Sequence, residues 1–221
     1  MDIPLLYHDR CIAVCRKPAG VDSETDMPAL LAGQLKVPAV FCVQRLDRAV
    51  GGVMVYALQR ESAAALSRQM ADGRFQKEYL AVVHGRPEPE ADTLRDLLFH
   101  DRGKNKSFVV RRERAGVKEA VLDYRVLEEA EGLSLLSVRL HTGRTHQIRV
   151  QLAARRHPLA GDGKYGSPRR DCAIALFSHA LGFCHPQTGG ALDFCAAPPP
   201  GFPWELFHHE NMGGSSCDTL K

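Results

Sequence analysis

What limits the fold most is a succession of short apolar segments of two-residue periodicity, separated by turn residues and interrupted by few stretches of helical spacing. Leu5 to Arg16 alternates around Ile12, Ala13, Val14 and Cys15 and stops at Lys17-Pro18-Ala19-Gly20, which reads as one strand ended by a turn. Val40 to Val43, Gly51 to Leu58, Gln76 to His84, Lys106 to Arg111, Glu119 to Glu128, Leu133 to His141 and Ala191 to Cys195 read as further strands. Helical spacing marks Met27 to Lys36, Glu61 to Asp72 and Gln147 to Ala154, while Ala175 to Phe183 fits either period. Strands outnumber helices without regular alternation. The expected class is therefore α+β, with helices flanking a mixed, largely antiparallel sheet.

At 221 residues, with 44% hydrophobic and 25% charged content, the chain can bury one sizeable core. Neither an internal repeat nor a composition break divides it, so residues 1–207 are expected to form one catalytic domain. The Gly/Ser-rich residues 208–221 are expected to be a disordered tail. No apolar run reaches membrane-spanning length, and Met1-Asp2-Ile3-Pro4 lacks the basic and apolar regions of a signal peptide. A cytoplasmic protein with no membrane partner is expected, with a monomer as the default. Seven cysteines form an odd set without a C-x-x-C pair. They read as reduced thiols rather than as a disulfide framework or zinc module, and the neighbours His179, Cys184 and His185 read as a chance grouping, not as metal ligands.

A net charge of +3 does not by itself imply a polyanionic partner, but the distribution is uneven. Between Arg102 and Lys118 seven Lys or Arg face one acid, Glu113. Between Arg139 and Arg170 eight face one acid, Asp162. Such stretches suit phosphate contacts, although a solvated face would look the same.

Three segments hold polar residues where sheet packing would not place them. In Gln44-Arg45-Leu46-Asp47-Arg48 a carboxylate sits between two arginines in a loop between strands, which favours its ionised form and suits it to nucleophilic work. Taken alone, those residues fit a salt-bridged surface turn better. In Lys77-Glu78-Tyr79-Leu80-Ala81 the tyrosine fits a strand core, or a ring that stacks on a base. In His141-Thr142-Gly143-Arg144-Thr145-His146-Gln147-Ile148-Arg149 a glycine turn leads into a basic helix start, a natural anion site or simply a basic helix face.

Together these segments resemble the RluA-type RNA pseudouridine synthases. Arg45-Leu46-Asp47-Arg48 resembles their R-L-D signature, Lys77 to Ala81 their K-x-Y-x-A motif, and Thr142 to Arg149 their T-G-R-x-H-Q-I-R motif. Gly161-Asp162-Gly163-Lys164-Tyr165-Gly166 is similar to their G-D-x-x-Y-G loop, and His179 to Pro186 to their late histidine-rich segment. The resemblance implies a sheet split by a central catalytic cleft. It implies Asp47 as catalytic carboxylate, Tyr79 as the ring stacked on the target uracil and Arg149 as the ion-pair partner of Asp47. It further implies that Arg45 fills the space left by the flipped nucleotide, and Leu46, Arg144, His146 and Ile148 are expected to contact substrate. One departure lies near the chemistry: Val50-Gly51-Gly52 stands where the family has T-S-G, and Gln44 where His or Gly is common. Two hydroxyls that would fasten the loop are thus absent.

The implied reaction detaches uracil at N1, turns it and rejoins it through C5, with no cofactor and no metal required. Its substrate would be a structured ribosomal or transfer RNA with a uridine that can leave its stack, chosen by this domain alone. An RNA-binding pseudoenzyme or RNA chaperone of the same fold is the principal alternative. A hydrolase with Asp47 as nucleophile is weaker, because only Glu78 and Asp162 are available in the other segments as a second acid.

Overall fold

A computed structural model describes residues 1–208 of the chain. In chain order its elements are β1 (Leu5–His8), β2 (Ile12–Lys17), α1 (Asp26–Leu35), β3 (Phe41–Cys42), β4 (Gly51–Ala57), α2 (Arg60–Ala71), β5 (Gln76–His84), β6 (Ala91–Asp101), β7 (Lys106–Val110), β8 (Val117–Ala130), β9 (Leu133–Leu140), α3 (Gln147–Ala154), β10 (Leu176–Cys184) and β11 (Ala191–Cys195). The class is α+β as expected: β1–β2, β2–β4, β3–β4, β6–β7, β6–β8, β8–β9 and β10–β11 pair antiparallel, and β4 pairs parallel with β10. Two compact units divide the chain, one formed by Met1–Glu78 with Phe177–Pro198, the other by Tyr79–Leu176 with the segment that begins at Pro199.

In the first unit the strands run β1-β2-β4-β10, with β3 added to β4 and β11 to β10. The apolar runs of β2 and β4 are buried along nearly their whole length, which is why they read as continuous hydrophobic segments rather than as alternating ones. Ile12, Val14, Val53 and Val55 pack with Leu66 of α2 and with Phe75, Phe183 and Phe194. The rings of Phe75 and Phe183 stack at 5.4 Å. This core leaves the β3–β4 loop, residues 43–50, at the edge of a rigid layer.

In the second unit the order is β5-β9-β8-β6-β7. Helix α3 lays Val150 on Leu98 and Ala120, and Gln151 Nε2 donates to Asp96 Oδ2 at 2.7 Å. Arg155 reaches the same carboxylate at 2.8 Å, so the middle and the C-terminal end of this short helix are fixed to β6.

Several expectations need correcting. The segment from Leu5 to Arg16 is a hairpin, not one strand: Asp9 Oδ1 accepts the backbone N–H of Cys11 (2.7 Å) and Ile12 (2.9 Å), and β1 folds back to pair Leu5 with Cys15. That Asx-type turn is local side-chain chemistry hidden beside a strong apolar run. Strand β6 carries no apolar alternation, because Asp92, Arg95, Asp96 and Asp101 leave only Leu94 and Leu98 buried. It is a strand because β8 pairs with it from Ala91↔Arg125 to Phe99↔Val117. The ambiguous stretch from Ala175 is β10, a strand. Cys11, Cys15, Cys42, Cys172 and Cys184 are free thiols, but Cys195 is disulfide-bonded, a pairing that linear spacing does not reveal. The expected tail, apart from residue 208, lies outside the described residues.

The parallel pairing of β4 with β10 depends on Gly52. Its φ is +131°, and a Cβ built there would lie 2.3 Å from Ser178 O and 2.5 Å from Ser178 N. Gly52→Ala is expected to destabilise the protein by about 3 kcal/mol, from backbone strain plus displacement of β10. Urea denaturation measures this, and a variant as stable as its parent would show that the strands do not approach so closely.

Candidate active site

Asp47 lies half-buried in the loop that precedes β4, and its carbonyl accepts the N–H of Val50 at 2.9 Å to close a tight turn. The segment that follows β2 grips the residues on both sides. Lys17 is 1% exposed, and its Nζ donates to the carbonyls of Pro18 (2.9 Å), Val21 (2.7 Å) and Arg48 (3.3 Å). Gly20 and Arg48 exchange two bonds, Gly20 N to Arg48 O and Arg48 Nε to Gly20 O, both 2.7 Å. Ser23 Oγ donates to Leu46 O at 3.0 Å and accepts from Leu46 N at 3.2 Å. The backbone immediately before and after Asp47 is thereby held without any hydroxyl at positions 50 or 51.

The departure from T-S-G has a steric counterpart. Val50 is buried, and a Cβ on Gly51 would meet Lys17 O at 3.1 Å, so the glycine admits the close approach of the segment carrying Lys17. Arg45 is exposed and pairs with Glu24 at 3.6 Å, a weak surface contact that leaves its direction adjustable. Leu46 is buried beside it. Gln44 is also buried, and its Nε2 has no hydrogen-bond partner among the described residues.

Burial drives the pKa of Lys17 down to about 8, against the opposing attraction of Asp22 and Asp47. Below that pH an ammonium donates to three carbonyls and faces the Asp47 carboxylate. Above it the charge is lost.

The second unit presents the other expected residues. Gln147 organises the entry to α3: its Oε1 accepts from Thr142 Oγ1 (2.8 Å) and Arg144 N (3.0 Å), while its Nε2 donates to Val121 O (3.1 Å). Arg144 Nε donates to Glu119 O at 2.8 Å, which fixes its stem on β8. His146 precedes the helix in the left-handed region, with φ 55°, and is buried with Ile148. Tyr79 is a buried residue of β5.

Arg149, only 4% exposed, is clamped by Asp162, with Nε to Oδ2 at 2.6 Å and Nη2 to Oδ1 at 2.9 Å. Both side chains are buried, and the paired geometry is the strong form of a guanidinium–carboxylate bond. Sequence reasoning missed Asp162 as the holder of Arg149, and saw Lys17 only as the first residue of a turn. The signal for Asp162 was its place as the lone acid in a basic stretch. For Lys17 it was a lysine closing an apolar strand, where a charge is retained only with partners.

Asp9, Cys11 and His185 bring possible metal-ligand atoms within 4.8 Å of one another. Both histidine nitrogens are engaged, however: Nε2 meets Asp9 Oδ2 at 2.8 Å, and Nδ1 accepts backbone N–H groups of Gln187 and Thr188. These contacts fasten the turn after β10 to the β1–β2 turn.

Comparison with known proteins gives this geometry its family. Residues 12–154 match the family of RNA pseudouridylate synthases. An RNA pseudouridine synthase of Bacillus subtilis (strain 168) is 32% identical over 232 residues, covering 97% of this chain and 75% of that protein. Ribosomal large subunit pseudouridine synthase D of Zymomonas mobilis subsp. mobilis is 33% identical over 225 residues, covering 90% and 70%. Among solved structures, human RNA pseudouridylate synthase domain containing 4 shares the fold with a TM-score of 0.77 at 23% identity, covering 92% of this chain and 91% of that one. The chain belongs to the RNA pseudouridylate synthase family, whose members isomerise uridine to pseudouridine.

Replacing the buried ammonium by an apolar chain of similar length removes the tether while sparing the core. Lys17→Met is expected to keep the fold and lose about 10²-fold in kcat through misplacement of the loop. Because the folded pKa lies below the ordinary 10.5, the unfolded chain binds more protons between about pH 8 and 10.5. Wild-type stability relative to Lys17→Met should therefore rise with pH through that window, as read by urea denaturation. Parallel pH profiles would refute the assignment.

Proposed function

We propose that this enzyme converts uridines of a structured ribosomal or transfer RNA to pseudouridine, with Asp47 as the catalytic carboxylate. The observation that carries the reading is the fastening of the Asp47 turn: Lys17, Gly20 and Ser23 bind the backbone at Leu46 and Arg48, on both sides of the carboxylate. A surface salt-bridged turn would need no buried lysine beneath it. A positioned, ionised oxygen can begin glycosidic cleavage either by attack or by taking a proton from the sugar, after which uracil turns and is rejoined through C5. The reaction is an isomerisation, so atoms and electrons balance without a co-reactant.

In this reading Tyr79 stacks on the extruded uracil and Arg149 pairs with Asp47. Arg45, Leu46, Arg144, His146 and Ile148 contact the nucleotide or the space it vacates. Arg102, Lys104, Arg111, Arg112, Arg114 and Lys118 are exposed around the β6–β7 hairpin and supply the phosphate-binding surface. A relative named for the large ribosomal subunit supports ribosomal RNA as the first substrate to test. No helix among the described residues is long and apolar enough to cross a membrane. Cytosolic action as a monomer belongs to the same proposal.

The pseudoenzyme alternative drew on the missing loop hydroxyls. With the loop held from the Lys17–Ser23 segment instead, that reason weakens. Asp47→Asn should abolish pseudouridine formation in a uridine-containing transcript, read by pseudouridine-specific chemical labelling, while RNA affinity stays within about twofold because no phosphate contact is lost. Product formed at the wild-type rate by this variant would end the proposal.

A further inference from the structure

We infer that Tyr165 is a positioning residue for Arg149, held in register by the edge strand β7. The inference rests on the proposed role of Arg149 and adds to it the means by which a buried arginine is aimed. Tyr165 ends the short 3-10 turn Gly163–Tyr165, directly after Asp162, and its N–H donates to Asp162 O at 3.1 Å. The residue that clamps Arg149 and the residue that faces it therefore share one turn.

Two cations address the tyrosine ring. Arg149 Cζ lies 5.1 Å from its centroid and Lys106 Nζ 5.2 Å. A cation over an aromatic face is attracted by the ring's quadrupole, more strongly where water is excluded, so the ring gives the guanidinium a preferred seat beside the Asp162 bonds that fix its edge. The hydroxyl is equally specified: it accepts the N–H of Ser107 at 2.8 Å and lies 3.0 Å from His146 Nδ1. Ser107 Oγ in turn donates to Thr145 O at 2.6 Å and meets His100 Nδ1 at 3.2 Å.

A tyrosine retained for packing alone would ask only for its apolar contact with the Leu98, Ala120 and Val150 cluster. Here the ring faces the guanidinium and the hydroxyl bridges the two ends of a network, β7 on one side and the entry to α3 on the other. Lys106 belongs to the basic stretch Arg102–Lys118, and its Nζ also lies 5.7 Å from the exposed Phe108 ring. The strand that lies inside this basic stretch is thus the strand that sets Tyr165.

The test is single-turnover kinetics on saturating transcript, with RNA affinity and thermal stability measured for each variant. Tyr165→Leu removes both ring and hydroxyl and is expected to lower the rate constant about 10²-fold at unchanged RNA affinity. Tyr165→Phe restores the ring and should recover most of that loss, leaving a deficit of a fewfold. Lys106→Met, which removes the second cation at the ring, should reduce the rate severalfold at saturation and keeps the test open if the leucine variant fails to fold. A leucine variant with the wild-type rate overturns the inference, as does a rate loss that follows melting temperature across the set, or a phenylalanine variant no better than leucine. Asp47→Asn run in parallel separates the two readings: activity there sinks the proposed chemistry, whereas inactivity there beside a fully active Tyr165→Leu sinks only the role of Tyr165.

Discussion

A lysine ammonium sealed from solvent and held by three carbonyl oxygens is the interaction on which the Asp47 loop of the first unit depends. A buried charge is tolerated only with fixed partners, and the Lys17 partners are backbone atoms of the segments it must join, Pro18 and Val21 on its own side and Arg48 on the other. The requirement works in both directions. The carbonyls offset part of the cost of burying the ammonium, and the ammonium prevents the segment around Asp47 from moving away from the end of β2. Glycines at 51 and 52 complete the arrangement by letting backbone approach backbone where a side chain would intrude.

The second unit solves a similar problem with a charge of the same sign and a different partner. Arg149 is buried on a helix of eight residues, too short to be stable by itself, and the helix is secured through Gln147 at its start, Gln151 in its middle and Arg155 at its end. Asp162 then fixes the guanidinium edge and Tyr165 its face. In both units a cation is placed by rigid elements and a glycine-containing turn, and mobility is left to exposed groups such as Arg45.

The residues of the candidate site were picked out from the linear order alone. The R-L-D-R loop, the tyrosine of β5 and the turn into α3 stood out because their polar residues interrupt apolar patterns, and the strand and helix bounds around them follow the expected positions within a residue or two. What escaped notice was whatever lacked a local pattern. Strand β6 exists by pairing with β8 despite its charges, and the hairpin β1–β2 exists by one aspartate turn inside an apolar run. Lys17 looked like a turn residue and Asp162 like a member of a glycine-rich loop, since nothing in the linear order says what either of them holds.

The sequence by itself determined the class of fold, the family and the candidate carboxylate, because periodicity, turn residues and the order of motifs are properties of neighbours along the chain. Only the tertiary structure decided which charges are buried and who holds them: Arg48 with Lys17 across 31 positions, Asp162 with Arg149 across 13, Ser107 with Tyr165 across 58. The physical reason is that desolvation and hydrogen-bond geometry depend on distances through space, and residues far apart in sequence acquire those distances only when the sheet and its helices are assembled.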